Sequence, residues 1–325
     1  MFTIIICTYN GGNRIERVVN CIVNQTMFDS LVQKVLIVDN CSTDSTSEVI
    51  KELTEENSKI IYLYEPEPGL SNARLCGIKN ADTTWIVFLD DDNFIDQNWL
   101  CGVAEYIKTH DGVGAFNGRV IPRFKEALTD EQYVLLKAAY CGLACTCYSE
   151  TQDTSIGEYK RMPFGAGLVI LREPLEKLAR NGWLESQGRK QDKIISGEDT
   201  EMVEWVKESG FRCGFCETVS LYHEINIRRL ELGYLRKLYI SFGESYYKII
   251  SKKKFYILRR MKWGMIEGFH FVRSFILNLK RKRKKTEDFY RNELRRARAK
   301  GYLLALMKGF IFLSKLRRKT NRSAL

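Results

Sequence analysis

Three consecutive aspartates are the densest group of potentially reactive side chains in this sequence. Asp90, Asp91 and Asp92 directly follow the apolar run 85–89, so a buried strand would deliver three carboxylates to its end. Like charges held this close together destabilise a fold unless a cation is bound between them. Carboxylates are the ligands that Mg²⁺ or Mn²⁺ takes, and either ion would in turn hold a diphosphate. The motif therefore predicts a divalent metal site, and a solvated acidic turn is the alternative for the motif taken alone.

Two further polar clusters also follow apolar runs. Thr8, Tyr9 and Asn10 come after the first such run, and Asp39 follows the run 35–38. A carboxylate at the end of a strand can accept hydrogen bonds from a ribose or a base N–H. The serine, threonine and aspartate shortly after Asp39 are typical helix-capping residues. Asp39 is therefore a candidate for binding a nucleoside, while at least one of the residues after it caps the next helix.

The usual phosphate-binding glycine motifs are missing from the sequence. No Gly-x-Gly-x-x-Gly follows the first predicted strand, and no Gly-x-x-x-x-Gly-Lys-Ser/Thr occurs at any position. A dinucleotide-dependent oxidoreductase and a P-loop nucleotidase both depend on such a motif. If a nucleotide binds here, a metal ion must take over the role of that glycine-rich loop.

The elements that must position these residues alternate between short β-branched runs and stretches with helical spacing. This alternation predicts an α/β fold with a Rossmann-like, mostly parallel sheet flanked by helices. Functional loops then lie at the carboxyl ends of the strands. The predicted strands are 2–7, 34–39, 60–64, 85–90, 113–120, 165–171 and 216–223, and a helix is predicted within 131–143.

Four segments in this order resemble the family 2 glycosyltransferases with the GT-A fold, the fold of nucleotide-diphospho-sugar transferases. They are Ile-Ile-Cys-Thr-Tyr-Asn at 5–10, Val-Leu-Ile-Val-Asp-Asn-Cys-Ser-Thr-Asp at 35–44, Gly-Leu-Ser-Asn-Ala-Arg at 69–74 and Phe-Leu-Asp-Asp-Asp-Asn at 88–93. Gly-Ala-Gly at 165–167, Gly-Glu-Asp-Thr-Glu at 197–201 and His223 are similar to that family's acceptor-side loop, Glu-Asp motif and late histidine. The resemblance covers about residues 1–245.

The resemblance implies roles in binding a nucleotide-sugar donor. Thr8, Tyr9, Asn10 and Asp39 match positions that hold the nucleoside, and Arg74 matches a position where a guanidinium reaches the base or a phosphate. A solvated arginine on a helix face is the alternative for Arg74.

The family's Asp-x-Asp element aligns with Asp90 and Asp92. Asp92 is then the direct metal ligand, while Asp90 lies nearer the ribose or a metal-bound water and Asp91, also expected at the donor, takes the variable position. Three adjacent aspartates permit two registers of this alignment. His223 is expected to reach the metal or the diphosphate, although a histidine after a strand is more often structural.

The resemblance also implies a general base. Asp199 would take the proton of the acceptor hydroxyl, assisted by Glu198, in an inverting single displacement that depends on Mn²⁺ or Mg²⁺. An acidic pair that only caps a helix is the alternative. The sequence departs from the family at Thr200, where an acidic residue is common, and the Gly-Ala-Gly match is loose; both departures concern the acceptor.

The charge is distributed unevenly along the chain. The net charge is +11, but residues 251–325 contribute +20 and residues 1–250 contribute −9. An amphipathic basic stretch at 255–280, the cationic run 280–285 and the apolar stretch 302–313 fit peripheral attachment to an anionic membrane surface. Packing of the apolar stripe on the catalytic body is the alternative. We expect a catalytic domain at 1–225, with a nucleotide-sugar half (1–120) and an acceptor-side half (121–225), and a helical, basic, membrane-associating region at 226–325.

Cysteines and targeting signals indicate the compartment. The ten cysteines are mostly scattered singly, which favours free thiols over disulfides or zinc. The sequence shows neither a secretory signal nor a membrane-spanning helix, so we expect a cytoplasmic protein, peripheral on the cytoplasmic face of the inner membrane.

The expected function is transfer of a sugar, with a UDP-sugar as donor, to a glycan or lipid-linked acceptor in the synthesis of surface polysaccharide or glycoconjugates. One alternative is a nucleotidyltransferase of similar fold, which would want a Lys or Arg in the loop at 8–12, where none occurs. The other is a non-enzymatic protein whose basic tail binds nucleic acid or membrane. The sequence makes no prediction of oligomeric state.

Overall fold

The computed structural model describes residues 1–151, 162–180, 197–251, 256–281 and 286–322. The described chain divides into two compact units. The first contains Met1–Ala127 and the described parts of Leu143–Lys193 and Glu198–Ile227. The second contains Leu128–Gly142, Gly197 and the described part of Arg228–Leu325.

The first unit is built on an eight-stranded mixed sheet. In chain order the strands are β1 (Phe2–Thr8), β2 (Val32–Asp39), β3 (Ile60–Tyr64), β4 (Trp85–Asp90), β5 (Asn93–Ile95), β6 (Val113–Arg123), β7 (Leu168–Leu171) and β8 (Arg212–Glu224). Their order across the sheet is β3-β2-β1-β4-β7-β6-β8-β5. The strands β3, β2, β1 and β4 are mutually parallel, β7 is antiparallel to both of its neighbours, and β5 is antiparallel to β8.

Helices cover both faces of this sheet. They are α1 (Ile15–Val23), α2 (Phe28–Leu31), α3 (Thr46–Glu56), α4 (Leu70–Asn80), α5 (Trp99–Thr109), α7 (Arg172–Arg180) and α8 (Glu198–Glu208). Strands covered on both sides have continuous apolar runs, and Ile4, Ile5 and Ile6 of β1 are all fully buried. The mixed α/β sheet with flanking helices confirms the predicted fold class.

Some element boundaries differ from the sequence prediction. The strand expected to begin at residue 165 begins at Leu168, because the Gly165–Gly167 turn contains a positive φ of 66° at Gly167. The strand expected to begin at residue 216 already begins at Arg212, where it pairs with β6. The helix expected within 131–143 is α6 (Asp130–Ala139), followed by a 3₁₀ helix.

The second unit is helical. It contains α6, α9 (Leu232–Ser251), α10 (Tyr256–Arg281) and α11 (Glu287–Arg322). Glycines allow α9 and α11 to approach closely, since a Cβ on Gly301 would lie 1.9 Å from the Ile240 carbonyl oxygen. The phenol of Tyr290 on α11 donates to Glu131 on α6. The sequence interpretation placed α6 in the first domain, whereas its contacts place it in this unit.

Two findings concern the cysteines and the membrane. The ten cysteines, all within the described ranges, form no disulfide. Within the described ranges, no helix has the combined length and apolar content needed to cross a bilayer.

Candidate active site

The three polar clusters predicted from the sequence meet at one edge of the sheet. Because β1 lies between β2 and β4, Thr8 stands opposite Asp39 on one side, and Cys7 stands opposite Asp90 on the other. These are the carboxyl ends of three adjacent parallel strands, where α/β sheets bind their ligands. The sheet therefore brings the expected nucleoside-binding and metal-binding residues together.

The loops after β1 and β2 are joined through Asn10. Its backbone N–H donates to the Ser42 hydroxyl (2.9 Å), and its side-chain oxygen accepts from the Thr43 backbone N–H (2.8 Å). Asn10 has a φ of 52°, a left-handed conformation that asparagine tolerates better than most residues. Asn10 thus fixes the two loops against each other, while the neighbouring Tyr9 ring remains 44% exposed at the edge.

Asp39 is buried at the end of β2 and held from two sides. One carboxylate oxygen accepts from the Ser42 backbone N–H (3.0 Å) and the other from the Tyr62 hydroxyl (3.2 Å). Burial and the Asp39 charge raise the pKa of Tyr62 to about 12. Tyr62 was not predicted from the sequence, because a tyrosine inside an apolar strand carries no motif. Only the parallel register of β2 and β3 places it beside Asp39.

The three adjacent aspartates have different surroundings. The Asp91 carboxylate accepts from the Thr8 hydroxyl (2.7 Å) and from the Arg14 guanidinium (2.9 Å). Asp92 lies 3.4 Å from Nε2 of His223. Burial and the Asp92 charge raise the pKa of Asp90, while Arg74 and His223 oppose that shift. The structure thus separates Asp91, which is hydrogen-bonded to the end of β1 and to the turn before α1, from Asp90 and Asp92.

Arg14 is a second residue of this site that the sequence analysis missed. It lies two residues beyond the loop at 8–12, which contains no Lys or Arg. The turn that begins at Gly11 brings it back, since the Gly11 carbonyl accepts from the Arg14 backbone N–H (2.8 Å). A Cβ on Gly11 would lie 2.2 Å from the Thr8 hydroxyl oxygen and 2.5 Å from the Asp91 carboxylate. Glycine at this position therefore permits the Thr8–Asp91 contact.

Arg74 and Glu198, predicted in separate roles, form one buried ion pair. Their side chains are 4% and 8% exposed, and Nη1 of Arg74 lies 3.3 Å from Oε1 of Glu198. The Arg74 guanidinium also faces Asp90 and Asp199, and these carboxylates together raise its pKa against the effect of burial. Arg74 is therefore not the solvated helix-face arginine of the alternative interpretation. It is the cation that interacts both with Asp90, predicted to lie at the metal site, and with Asp199, the predicted base.

Asp199 lies in the first turn of α8 and accepts two backbone hydrogen bonds. Gly165 donates to one carboxylate oxygen (2.9 Å), and Thr200 donates to the other (2.7 Å). The contact with Gly165 joins the predicted Glu-Asp motif to the predicted Gly-Ala-Gly loop. The two bonds fix the direction in which the carboxylate points.

His223 is buried near the end of β8. In the sheet it stands opposite Asn93 of β5 and Pro122 of β6, and its Nδ1 lies 4.0 Å from the Cys145 thiol. Its Nε2 faces Asp92. The histidine is thus adjacent to the aspartates, as the sequence analysis expected.

The donor set at this edge fits a divalent ion. Among the residues that the structure describes, no group of three or more His, Cys, Asp or Glu side chains is arranged as a complete metal site. Asp90 and Asp92 nevertheless offer hard oxygen ligands, and the charge repulsion that raises the pKa of Asp90 would be relieved by a cation. The remaining ligands would come from a diphosphate or from water.

Comparison with known proteins identifies the family. The model of glycosyl transferase family 2 matches residues 3–178, more than half of the chain. The chain belongs to this family. The match confirms the resemblance and extends from β1 to β7.

Relatives within family 2 match only part of their own length. A glycosyltransferase, GlyA, of Streptococcus pneumoniae is 31% identical over 98 residues, which are 30% of this chain and 14% of GlyA. TarS of Staphylococcus aureus, a poly(ribitol-phosphate) β-N-acetylglucosaminyltransferase, is 29% identical over 134 residues, 38% of this chain and 23% of TarS. Among solved structures, a mannosyltransferase of Pyrobaculum calidifontis in complex with GDP-Man and Mn²⁺ covers 78% of this chain and 65% of its own, with a TM-score of 0.54 and 17% identity. That likeness supports the fold.

Proposed function

We propose that the chain is an inverting, metal-dependent glycosyltransferase that moves a sugar from a nucleoside diphosphate, UDP in our proposal, to a glycan or lipid-linked acceptor. The observation that carries the proposal is the position of Arg74. Its guanidinium faces Asp90, Glu198 and Asp199, so the metal-binding end of β4 and the Glu-Asp motif of α8 belong to one site.

Each side of the donor has residues to bind it. Asp39, held by Tyr62, would accept from the nucleoside, and the exposed Tyr9 ring would pack against the base. Asp90 and Asp92 would hold Mn²⁺ or Mg²⁺, which when bound stabilises negative charge on the departing nucleoside diphosphate. The compared mannosyltransferase contains GDP-Man and Mn²⁺, which supports a divalent ion in this fold.

The environment of Asp91 favours one register of the Asp-x-Asp element. Its carboxylate already accepts from Thr8 and Arg14, so it links the end of β4 to the end of β1 and to the turn before α1. Asp90 and Asp92 then remain for the donor and the ion. This assignment agrees with the proposal that Asp91 occupies the variable position.

Asp199 would act as the general base. The acceptor hydroxyl oxygen forms a bond to the anomeric carbon while the bond from that carbon to the diphosphate oxygen breaks, and the hydroxyl proton passes to Asp199. The backbone N–H groups of Gly165 and Thr200 hold the carboxylate in place during this transfer. Glu198 is paired with Arg74, so it would position the Arg74 guanidinium rather than receive the proton of the acceptor.

The test uses the purified full chain with UDP-, GDP- and dTDP-sugars and with Mn²⁺, Mg²⁺ or EDTA. We expect thermal stabilisation by a UDP-sugar that requires the metal. Transfer or donor hydrolysis should fall about 10²–10⁴-fold in Asp199→Asn without loss of donor binding. In Asp92→Asn, both donor binding and turnover should fall.

Asp82→Asn is the matched control, since the exposed Asp82 pairs with Lys34 near the amino ends of β2 and β4, and its substitution should leave activity unchanged. Full activity of Asp199→Asn or Asp92→Asn would refute the corresponding role. Formation of a nucleotide-sugar and pyrophosphate from a nucleoside triphosphate and a sugar phosphate would instead favour the nucleotidyltransferase alternative.

A further inference from the structure

The second unit exposes a continuous apolar stripe along α10. Its members are large side chains, 46–71% exposed, that recur every three or four residues: Met261, Met265, Phe269, Val272 and Ile276. At 3.6 residues per turn, these positions fall within an arc of about 80° and extend over about 22 Å. Contiguous exposed apolar side chains of this kind mark an interaction surface.

The stripe is separate from the face by which α10 packs inside its unit. Trp263 packs edge-on against Tyr246 of α9, with ring centroids 5.1 Å apart. Glu267 is buried and accepts from Arg298 of α11 (2.9 Å). These residues lie on the opposite side of the helix from the stripe. α10 therefore has one apolar surface for its own unit and a second one facing outward.

The charge around the stripe is positive. Exposed Lys262 and Arg273 lie along one flank of it. In sequence, α10 has six Lys or Arg residues and a single acidic residue, Glu267, which is on the packed face. No acidic side chain of α10 thus borders the stripe. The surface combines apolar side chains with flanking cations, as interfacial helices do.

This combination decides between three kinds of partner. A second copy of the chain meeting this face would bring the cations of both copies together. A nucleic acid would pair with the cations and leave the methionines and Phe269 exposed to water. An anionic bilayer satisfies both features, because its acyl region takes the apolar side chains and its phosphates take the cations.

We propose that α10 lies in the surface of an anionic membrane, with the stripe buried between the lipid headgroups. Met265, in the middle of the arc, enters deepest, and Phe269 lies beside it on the side nearest the cations. Lys262 and Arg273 pair with lipid phosphates. The proposal concerns the second unit alone and does not depend on the proposed transferase activity.

The first test measures sedimentation of the full chain with vesicles of phosphatidylcholine alone or mixed with phosphatidylglycerol. We expect binding to the mixed vesicles, weakened by salt. The double variant Met265→Gln/Phe269→Gln should bind at least about tenfold more weakly. Lys262→Gln/Arg273→Gln should bind about 30-fold more weakly at low salt. The control Ile61→Gln, which removes an exposed apolar side chain from β3, should bind like the wild type.

A second measurement uses only the wild-type chain, so that it stands even if a variant misfolds. Hydroxyl-radical labelling of Met261, Met265 and Phe269 should fall when mixed vesicles are added. Unchanged labelling with vesicles bound would overturn the proposal, as would equal binding of the wild type to neutral vesicles. A dimer in sedimentation equilibrium that the Met265/Phe269 variant abolishes, or tighter binding to duplex DNA at matched salt, would assign the face to those partners instead.

Discussion

The buried ion pair between Arg74 and Glu198 predicts a measurable coupling energy. Both side chains are under a tenth exposed, so solvent screens their interaction little. Removing one member of such a pair leaves a buried charge and costs about 3–5 kcal/mol. The loss is large against a total stability of about 5–15 kcal/mol.

The two single substitutions are not expected to be equal. Glu198→Gln leaves Arg74 facing Asp90 and Asp199, whereas Arg74→Met leaves three carboxylates without their shared cation. We therefore expect Arg74→Met to lie near the upper end of the range, about 5 kcal/mol, and Glu198→Gln near the lower end, about 3 kcal/mol. The double variant should be less unstable than the sum of the two by at least about 2 kcal/mol.

The assay is urea unfolding followed by circular dichroism at pH 7 without donor. The matched control is Glu173→Gln with Lys177→Met, an exposed pair on α7 whose side chains are 69% and 60% exposed. That pair should give a coupling of about 0.5 kcal/mol or less. Additive effects of Arg74→Met and Glu198→Gln would refute the ion pair and, with it, the joining of the two halves of the site.

Three further predictions concern the loops. Gly11→Ala should lower the free energy of unfolding by about 1–3 kcal/mol and weaken donor binding in calorimetry, since the added Cβ would meet Thr8 and Asp91. The control Gly233→Ala has open space around its Cβ and should lower neither quantity. The raised pKa of Tyr62, about 12, stabilises the fold below pH 10, and this stabilisation is lost as the phenol ionises between pH 10 and about 12. Tyr62→Phe should therefore lose less unfolding free energy than the wild type over that pH range. The same alkaline unfolding curve for both proteins would contradict this. Arg14→Met should weaken metal-dependent donor binding, because Asp91 loses its ion-pair partner. In a chain that already carries Asp91→Asn, Arg14→Met should have a smaller effect. Titrations of donor binding at varied Mn²⁺ concentration would measure both effects.

Much of the fold followed from patterns that are local in sequence. The alternation of β-branched runs with helical spacing predicted the α/β class, and the predicted bounds of β3 and β4 match the structure. The antiparallel insertion of β7 between β4 and β6 is not a local property. No periodicity in a four-residue apolar strand indicates which neighbours it will have.

The site shows the same limit. Motifs located Asp39, the three aspartates and the Glu-Asp pair, because each lies at a strand end or a helix start. Tyr62 and Arg14 were missed, because one reaches the site through the register of two strands and the other through a turn. The pairing of Arg74 with Glu198 joins residues 124 positions apart, a distance that a motif does not convey. Motifs in the sequence thus located the charged residues, but only the structure showed which residues they pair with.

The surroundings of the three aspartates explain how the fold accommodates so much negative charge at one strand end. Asp91 is balanced by Arg14 from the turn before α1, and Asp90 by Arg74 from α4, while Asp92 faces His223. Two of the three carboxylates thus meet a guanidinium from a different part of the chain, which limits the repulsion that the sequence alone suggested. Burial and Asp92 still raise the pKa of Asp90, so the balance there is incomplete. A divalent cation bound between Asp90 and Asp92 would neutralise the remaining negative charge there. Binding of the metal should therefore stabilise the fold of the first unit as well as the binding of the donor.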